Sequence, residues 1–301
     1  MNKPLRRLLA ALANASLAVL GLTACAPSYP EATPISNDMV GVQMNMWSFA
    51  SIEAECEFLG QAGYDWALVS PPQESIPGGE WWSHYQPVSY KIDSSLGTEA
   101  QFKSMVKTCK SHDVQIMVDV VLNHMTGQMN GKGFAGTEFT KYEFPGLYAT
   151  DDFNQCPTGV SQIEDWSNVE EIQQCELLGL ADLNTSKSNV RDNLVAYLRN
   201  LRNMGVAGFR VDAAKHIAAN ELKQMVDQLD GNTTFISEVI GEMPPQSDYY
   251  AFGHVFSFDW ITQMRNIFSS NGLLGGSADQ NYFDMLSPSD KTVTLVSNHD
   301  T

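Results

Sequence analysis

Positive charge is scarce in this chain. Its 301 residues carry 18 Lys and Arg against 35 Asp and Glu, a formal net charge of −17 at pH 7. Such a surface repels phosphate backbones and anionic membrane surfaces, so nucleic acid is excluded as a partner. A membrane-spanning run is missing too. The apolar stretch from Leu8 to Leu22 is too short to cross a bilayer comfortably, which leaves a lipid anchor as the route to a membrane. Cysteine is used sparingly, five residues in all. What the chain does have is 43% hydrophobic residues, enough to bury a large core as one barrel or as two smaller domains.

Residues 1–25 read as a targeting segment outside the fold. Lys3, Arg6 and Arg7 precede the apolar stretch, and Leu22-Thr23-Ala24-Cys25 resembles a bacterial lipobox, with Cys25 as the lipid-bearing N-terminus. The competing reading is an ordinary signal peptide cut after Ala24-Cys25-Ala26, with Pro27 left at the cut. The chain is then a bacterial cell-envelope lipoprotein or a secreted protein, and loss of the three leader cations takes its charge to −20. Residues 26–38, rich in Pro, Ser, Thr and Asn, read as a flexible tether. Cys56, Cys109, Cys156 and Cys175 remain, an even number that in an exported chain favours two disulfides over four free thiols. Three pairings are open. Cys56 and Cys109 fall on helices that neighbour one another in a barrel, and Cys156 and Cys175 bracket one loop.

Strand candidates are Val40 to Trp47, Trp66 to Ser70, Val114 to Val121, Val206 to Val211, Thr234 to Glu238, His254 to Asp259 and Val293 to Ser297. Helical patterns alternate with them. Thr98 with Gln101 predicts a capping box, followed by Phe102, Met105, Val106 and Cys109 at helical spacing. Val190, Leu194, Tyr197, Leu198 and Leu201 form a second stripe, closed by Gly205. Between Met125 and Ala181 the alternation breaks for too long a stretch to be a loop, so a small inserted domain is expected. The resulting division is a barrel over residues 39–124 and 182–301, with 125–181 inserted after the third strand.

Asp212, Glu238 and Asp300 each sit at or just past the C-terminal end of a strand candidate, where a (β/α)8 barrel assembles its active site. Retaining cleavage of a glycosidic bond needs one carboxylate as nucleophile and another as acid and then base; a third can support the transition state. A single Asp more often caps a helix or pairs with a surface Lys. Here Arg210 lies two residues before Asp212 on the same strand face, where it is expected to hold that carboxylate ionised. Trp81, Trp82 and Tyr85 fall in a polar loop, where exposed aromatics suggest platforms for sugar rings.

The segments DVVLNH (119–124), GFRVDAAKH (208–216), SEVI (237–240) and VSNHD (296–300) resemble, in order, the four signature segments of the alpha-amylase family of glycoside hydrolases. WWSHYQPVSY (81–90) and GVAG (205–208) are most similar to the animal-type, chloride-activated members, which also occur in bacteria. The resemblance runs from about Val40 to Thr301. It implies a (β/α)8 TIM barrel with a short domain B, and endo-acting, retaining hydrolysis of alpha-1,4-glucosidic bonds in starch- or glycogen-type glucans. Asp212 would be the nucleophile, Glu238 the acid and then base, and Asp300 the stabiliser of the distorted transition state. Trp82, Tyr85 and Gln86 would line the cleft, His124 and His299 would bind the transition state, and Lys215 and His216 would lie toward the reducing end. Arg210 would face the same cleft.

The resemblance further implies calcium on Asn123, Asp182 and the carbonyl of His216, with a fourth carbonyl at Gln173. It implies chloride on Arg210 and Asn298. The disulfides it implies are Cys56–Cys109 and Cys156–Cys175, without a further bridge that would need Cys where this chain has Asp93. A monomer acting on an alpha-glucan is the expected state. Two alternatives stay open: transglycosylation or action on branched or cyclic glucans, and a non-catalytic, glucan-capturing surface lipoprotein. Seven strand candidates are found, and the family's eighth strand, its helix and the C-terminal β-domain would fall beyond Thr301. The expectation is therefore a barrel truncated after the seventh strand, with residues 26–301 alone aggregation-prone and inactive.

Overall fold

The computed structural model describes residues 30, 32–36, 38–269, 288–297 and 299. Seven parallel strands form one sheet in chain order: β1 (Gly41–Met44), β2 (Trp66–Val69), β3 (Gln115–Val121), β4 (Gly208–Asp212), β5 (Thr234–Ser237), β6 (His254–Ser257) and β7 (Thr292–Thr294). The short, continuous apolar runs WALV and IMVDVV behave as parallel strands buried on both faces should. Gly208 is required by close approach: a Cβ there would lie 2.3 Å from the Thr234 carbonyl oxygen of the neighbouring strand. β1 and β7 are the two edges, and a cavity of about 1100 Å³ lies between them, lined by Val42 and Trp66 on one side and by Phe256 and Thr292 on the other.

Helices follow the strands: α1 (Phe49–Ala62), α2 (Glu99–Ser111), α3 (Val169–Gln174), α4 (Ser188–Asn203), α5 (Ala219–Val226) and α6 (Phe258–Ser269). The Thr98–Gln101 capping box forms as its spacing predicts, and both apolar stripes are buried. Phe49 and Phe102 meet edge-on at 5.2 Å between α1 and α2, beside the Cys56–Cys109 disulfide. The sixth strand stops at Ser257, short of the expected Asp259. Phe258 and Asp259 instead open α6, where an acidic side chain suits the positive end of the helix dipole.

The inserted segment leaves and rejoins the barrel through a two-residue antiparallel ladder, His124–Met125 against Ala181–Asp182. Inside it, a hairpin pairs Asn130–Lys132 with Glu138–Thr140, and Phe139, Phe144, Tyr148 and Phe153 form an aromatic core. Cys156 and Cys175 are bridged. Glu74, which follows β2, reaches into the segment and accepts hydrogen bonds from the Thr137 N–H and hydroxyl at 3.0 and 2.6 Å. The expected tether differs from the structure over residues 32–36. That segment is docked beneath the sheet, with Ala32 buried and the Thr33 backbone bonded both ways to the Gln115 side chain.

Candidate active site

Arg210 stands at the centre, 2% exposed, on β4. Its Nη1 donates to both oxygens of Asp119 at 2.7 Å and to Asp212 Oδ1 at 2.8 Å, while Nη2 donates to Glu238 Oε1. The strand register explains the meeting. Asp119 on β3 is the direct partner of Arg210, Asp212 points to the same face two residues on, and Glu238 follows the neighbouring strand β5. The other Glu238 oxygen accepts from the Ala213 N–H at 2.8 Å. Three carboxylates thus share one guanidinium. Burial, aided by Glu238 and Asp119, outweighs Arg210 and pushes the Asp212 carboxyl well above the usual carboxylate range. The Asp119 carboxyl is also raised, chiefly by burial. The expectation that Arg210 simply holds Asp212 ionised therefore needs correcting: the guanidinium is divided among three acids.

Tyr85 closes one side. Its hydroxyl donates to Asp119 at 2.8 Å and lies 3.2 Å from His299 Nε2, whose ring stacks on the tyrosine at 5.7 Å. Gln43 Nε2 lies 2.7 Å from His299 Nδ1. His124 donates to the Tyr85 carbonyl at 3.0 Å, and burial pushes its pKa down to about 4, so it is neutral near pH 7. Trp81 and Trp82 are each 46% exposed, as platforms would be, whereas Tyr85 is buried and serves the carboxylate network. Gln86 accepts from the Thr126 hydroxyl at 2.9 Å, fixing the start of the inserted segment.

Asp212, Glu238, Tyr85, His124 and His299 line a cleft of about 610 Å³ that also includes Lys215, His216 and the inserted segment's Trp166, Leu177, Leu178 and Leu180. Lys215 donates to the Ile240 carbonyl at 2.8 Å, and its ammonium sits 5.0 Å from the Trp166 ring centre. His216 donates from Nδ1 to the Ile172 carbonyl at 2.8 Å, and burial lowers its pKa to about 4. Sequence reasoning missed Trp166 and the leucines. An aromatic inside a polar stretch was the available signal for Trp166; the leucines follow no period. Asp300 and Asn298 lie outside the described residues, as does Cys25.

At the neck of the insertion, Asp182 is 2% exposed and accepts from Asn123 at 3.0 Å and Asn154 at 2.8 Å. Burial pushes its carboxyl well above the ordinary range, with the Glu176 and Glu221 charges adding to the effect. No ion pair offsets this carboxylate among the described residues. Turning the Asn123 amide about would aim its oxygen at the same point, giving hard oxygen donors of the kind calcium takes. Gln173 belongs to α3, whose Ile172 carbonyl accepts from the His216 ring. Calcium therefore fits the residues present. Of the residues expected to hold chloride, Arg210 is bound to Asp119, Asp212 and Glu238, and Asn298 lies outside the described residues.

Comparison with known proteins decides the family. A profile described as "Alpha amylase, catalytic domain" matches residues 70–259. The chain belongs to the alpha-amylase family. It is 39% identical over 299 residues to an alpha-amylase of Streptomyces violaceus, covering 97% of this chain and 51% of that protein. It is 39% identical over 321 residues to one from Thermomonospora curvata, covering 100% and 52%. A crystal structure of a mutant alpha-amylase I of Eisenia fetida in complex with maltohexaose superposes with a TM-score of 0.82 at 32% identity, covering 91% of this chain and 60% of that one. The chain spans about half the length of the curated relatives it matches.

Proposed function

We propose that this protein hydrolyses internal alpha-1,4-glucosidic bonds of starch- or glycogen-type glucans with retention of configuration. One observation carries the reading: Asp212 and Glu238, at the ends of adjacent strands, are bound to a single guanidinium at the floor of an aromatic-rimmed cleft. Asp212 attacks the anomeric carbon, and Glu238 protonates the leaving oxygen and then deprotonates the water that releases the sugar. Because three carboxylates surround one cation, the cluster favours keeping a proton. The acid step requires a proton to pass from Glu238 to the leaving oxygen, while positive charge developing on the sugar stabilises an ionised Asp212. Asp300 would bind sugar hydroxyls. His124 and His299 would donate to or accept from the hydroxyls of the same ring, and Trp82, Tyr85 and Gln86 would hold the chain from one wall, with Lys215 and Trp166 on the other.

Calcium would be held by Asn123, Asp182 and the carbonyls of His216 and Gln173, and it would supply a fixed charge joining the inserted segment to the barrel. Cys25 would carry lipid, making the protein a bacterial cell-envelope lipoprotein, on the strength of its Leu-Thr-Ala-Cys sequence. The activity is tested by reducing-sugar release from soluble starch by the full-length protein beside Glu238→Gln. Release by wild type and its loss in the variant are expected. A folded wild type that binds starch and releases nothing would make the protein a glucan-capturing module.

A further inference from the structure

The segment docked beneath the barrel bears on how the protein is presented at a membrane. Thr33 donates to Gln115 Oε1 at 2.8 Å and accepts from Gln115 Nε2 at 2.9 Å, the pairing an amide side chain makes with a strand. The Ile35 N–H donates to Thr234 Oγ1 at 3.0 Å. Gln115 is the first residue of β3 and Thr234 the first of β5, so the segment straps the N-terminal ends of the strands. Ala32 plugs that end, 9% exposed, against Trp66, Met117, Ile236 and Phe256, with Ile35 and Met39 packed on the same cluster. The candidate active site is at the other end of these strands. From Thr234 to Glu238 runs four residues, so strap and cleft floor are separated by about 13 Å of extended chain, with the rim residues farther out.

Only seven residues lead from Cys25 to Ala32, a reach of about 25 Å at full extension. A tether this short keeps the strap end of the barrel within about 25 Å of the bilayer. We infer that the strap holds the N-terminal end of the barrel toward the membrane and the cleft toward the medium, so that a polymer too large to pass beneath the protein enters from the open side. This rests on Cys25 carrying the lipid. The acidic charge of the domain works in the same direction, because it keeps the remaining surface off anionic headgroups.

The test uses full-length, lipidated protein in phosphatidylethanolamine and phosphatidylglycerol vesicles bearing a headgroup acceptor dye. A donor dye is placed on Asn232→Cys, two residues before Thr234 on the strap side, or on Leu178→Cys at the cleft rim; both positions are exposed. Energy transfer from position 232 is expected to be several-fold more efficient than from position 178. Inserting about 20 Gly and Ser residues after Ser28, which adds roughly 25 Å of root-mean-square reach, should reduce the difference. Labelled protein that transfers equally from both positions, or more from the rim, would overturn the orientation while leaving the anchor standing. Absence of fatty-acid incorporation, with Cys25→Ser as the control, would overturn the anchor and the orientation together.

Discussion

Replacing Arg210 by Met should damage the fold far more than an ordinary core substitution. The side chain is 2% exposed and meets Asp119, Asp212 and Glu238. Methionine fills much of its volume but leaves three carboxylates at the floor of the cleft without a cation. Breaking a buried ion pair by removing one partner costs about 3–5 kcal/mol. At about 2–4 °C per kcal/mol for a domain of this size, the melting temperature at pH 7 should fall by roughly 10 °C. The pH dependence gives the sign. Asp212 and Asp119 already have folded-state pKa values raised by burial, with Arg210 pulling them down. Without Arg210 both rise further. A carboxyl raised above its unfolded value, about 3.9 for Asp, leaves stability intact below that value and erodes it as pH rises through the folded one. The deficit of the variant should therefore be largest at pH 7 and shrink at pH 5. Arg210→Lys, which keeps the charge and loses the planar fork, should fall between. Calorimetry at the two pH values decides: an unchanged melting temperature at pH 7, or a deficit that grows on acidification, would refute the reasoning.

Asp182→Asn should be neutral or stabilising in chelator, because it removes a buried charge, yet it should abolish the gain expected of wild type with calcium, about 2.7 kcal/mol at a hundredfold excess over Kd; an equal calcium response in melting curves of both proteins would reject the site. Asp212→Asn should lower turnover on soluble starch by on the order of 10⁴-fold with little change in melting temperature, since no covalent intermediate can form, and near-normal rates would remove Asp212 from the mechanism. Replacing Cys156 and Cys175 by Ser opens a link across 19 residues of the inserted segment and should cost about 3 kcal/mol, read from urea midpoints; no shift would mean the segment is ordered without it.

Much of the barrel was legible because buried parallel strands are apolar on both faces. WALV and IMVDVV need no partner to be recognised. The start of α6 was not, since Phe258 and Asp259 continue the run of β6 before the period changes. The strap escaped for a different reason. Its polar composition resembles a linker, and what orders it is Gln115 and Thr234, 82 and 199 residues away. In the site, the Arg210–Asp212 contact followed from a spacing of two on one strand. That Asp119 and Glu238 claim the same guanidinium follows only from the register of β3, β4 and β5, which no local pattern encodes. The second cleft wall, Trp166 with Leu177 and Leu178, lies in irregular chain whose position is set by the Cys156–Cys175 bridge and by the neck ladder.

The stereochemistry of the first product reports on the roles given to Asp212 and Glu238. Proton magnetic resonance of the full-length protein acting on maltoheptaose, followed from the first minutes, resolves the two anomers before mutarotation mixes them. A double displacement through Asp212 predicts that the alpha anomer appears first and the beta anomer grows in only at the rate of mutarotation. Initial accumulation of the beta anomer would mean single displacement by water, and Asp212 would not be a nucleophile.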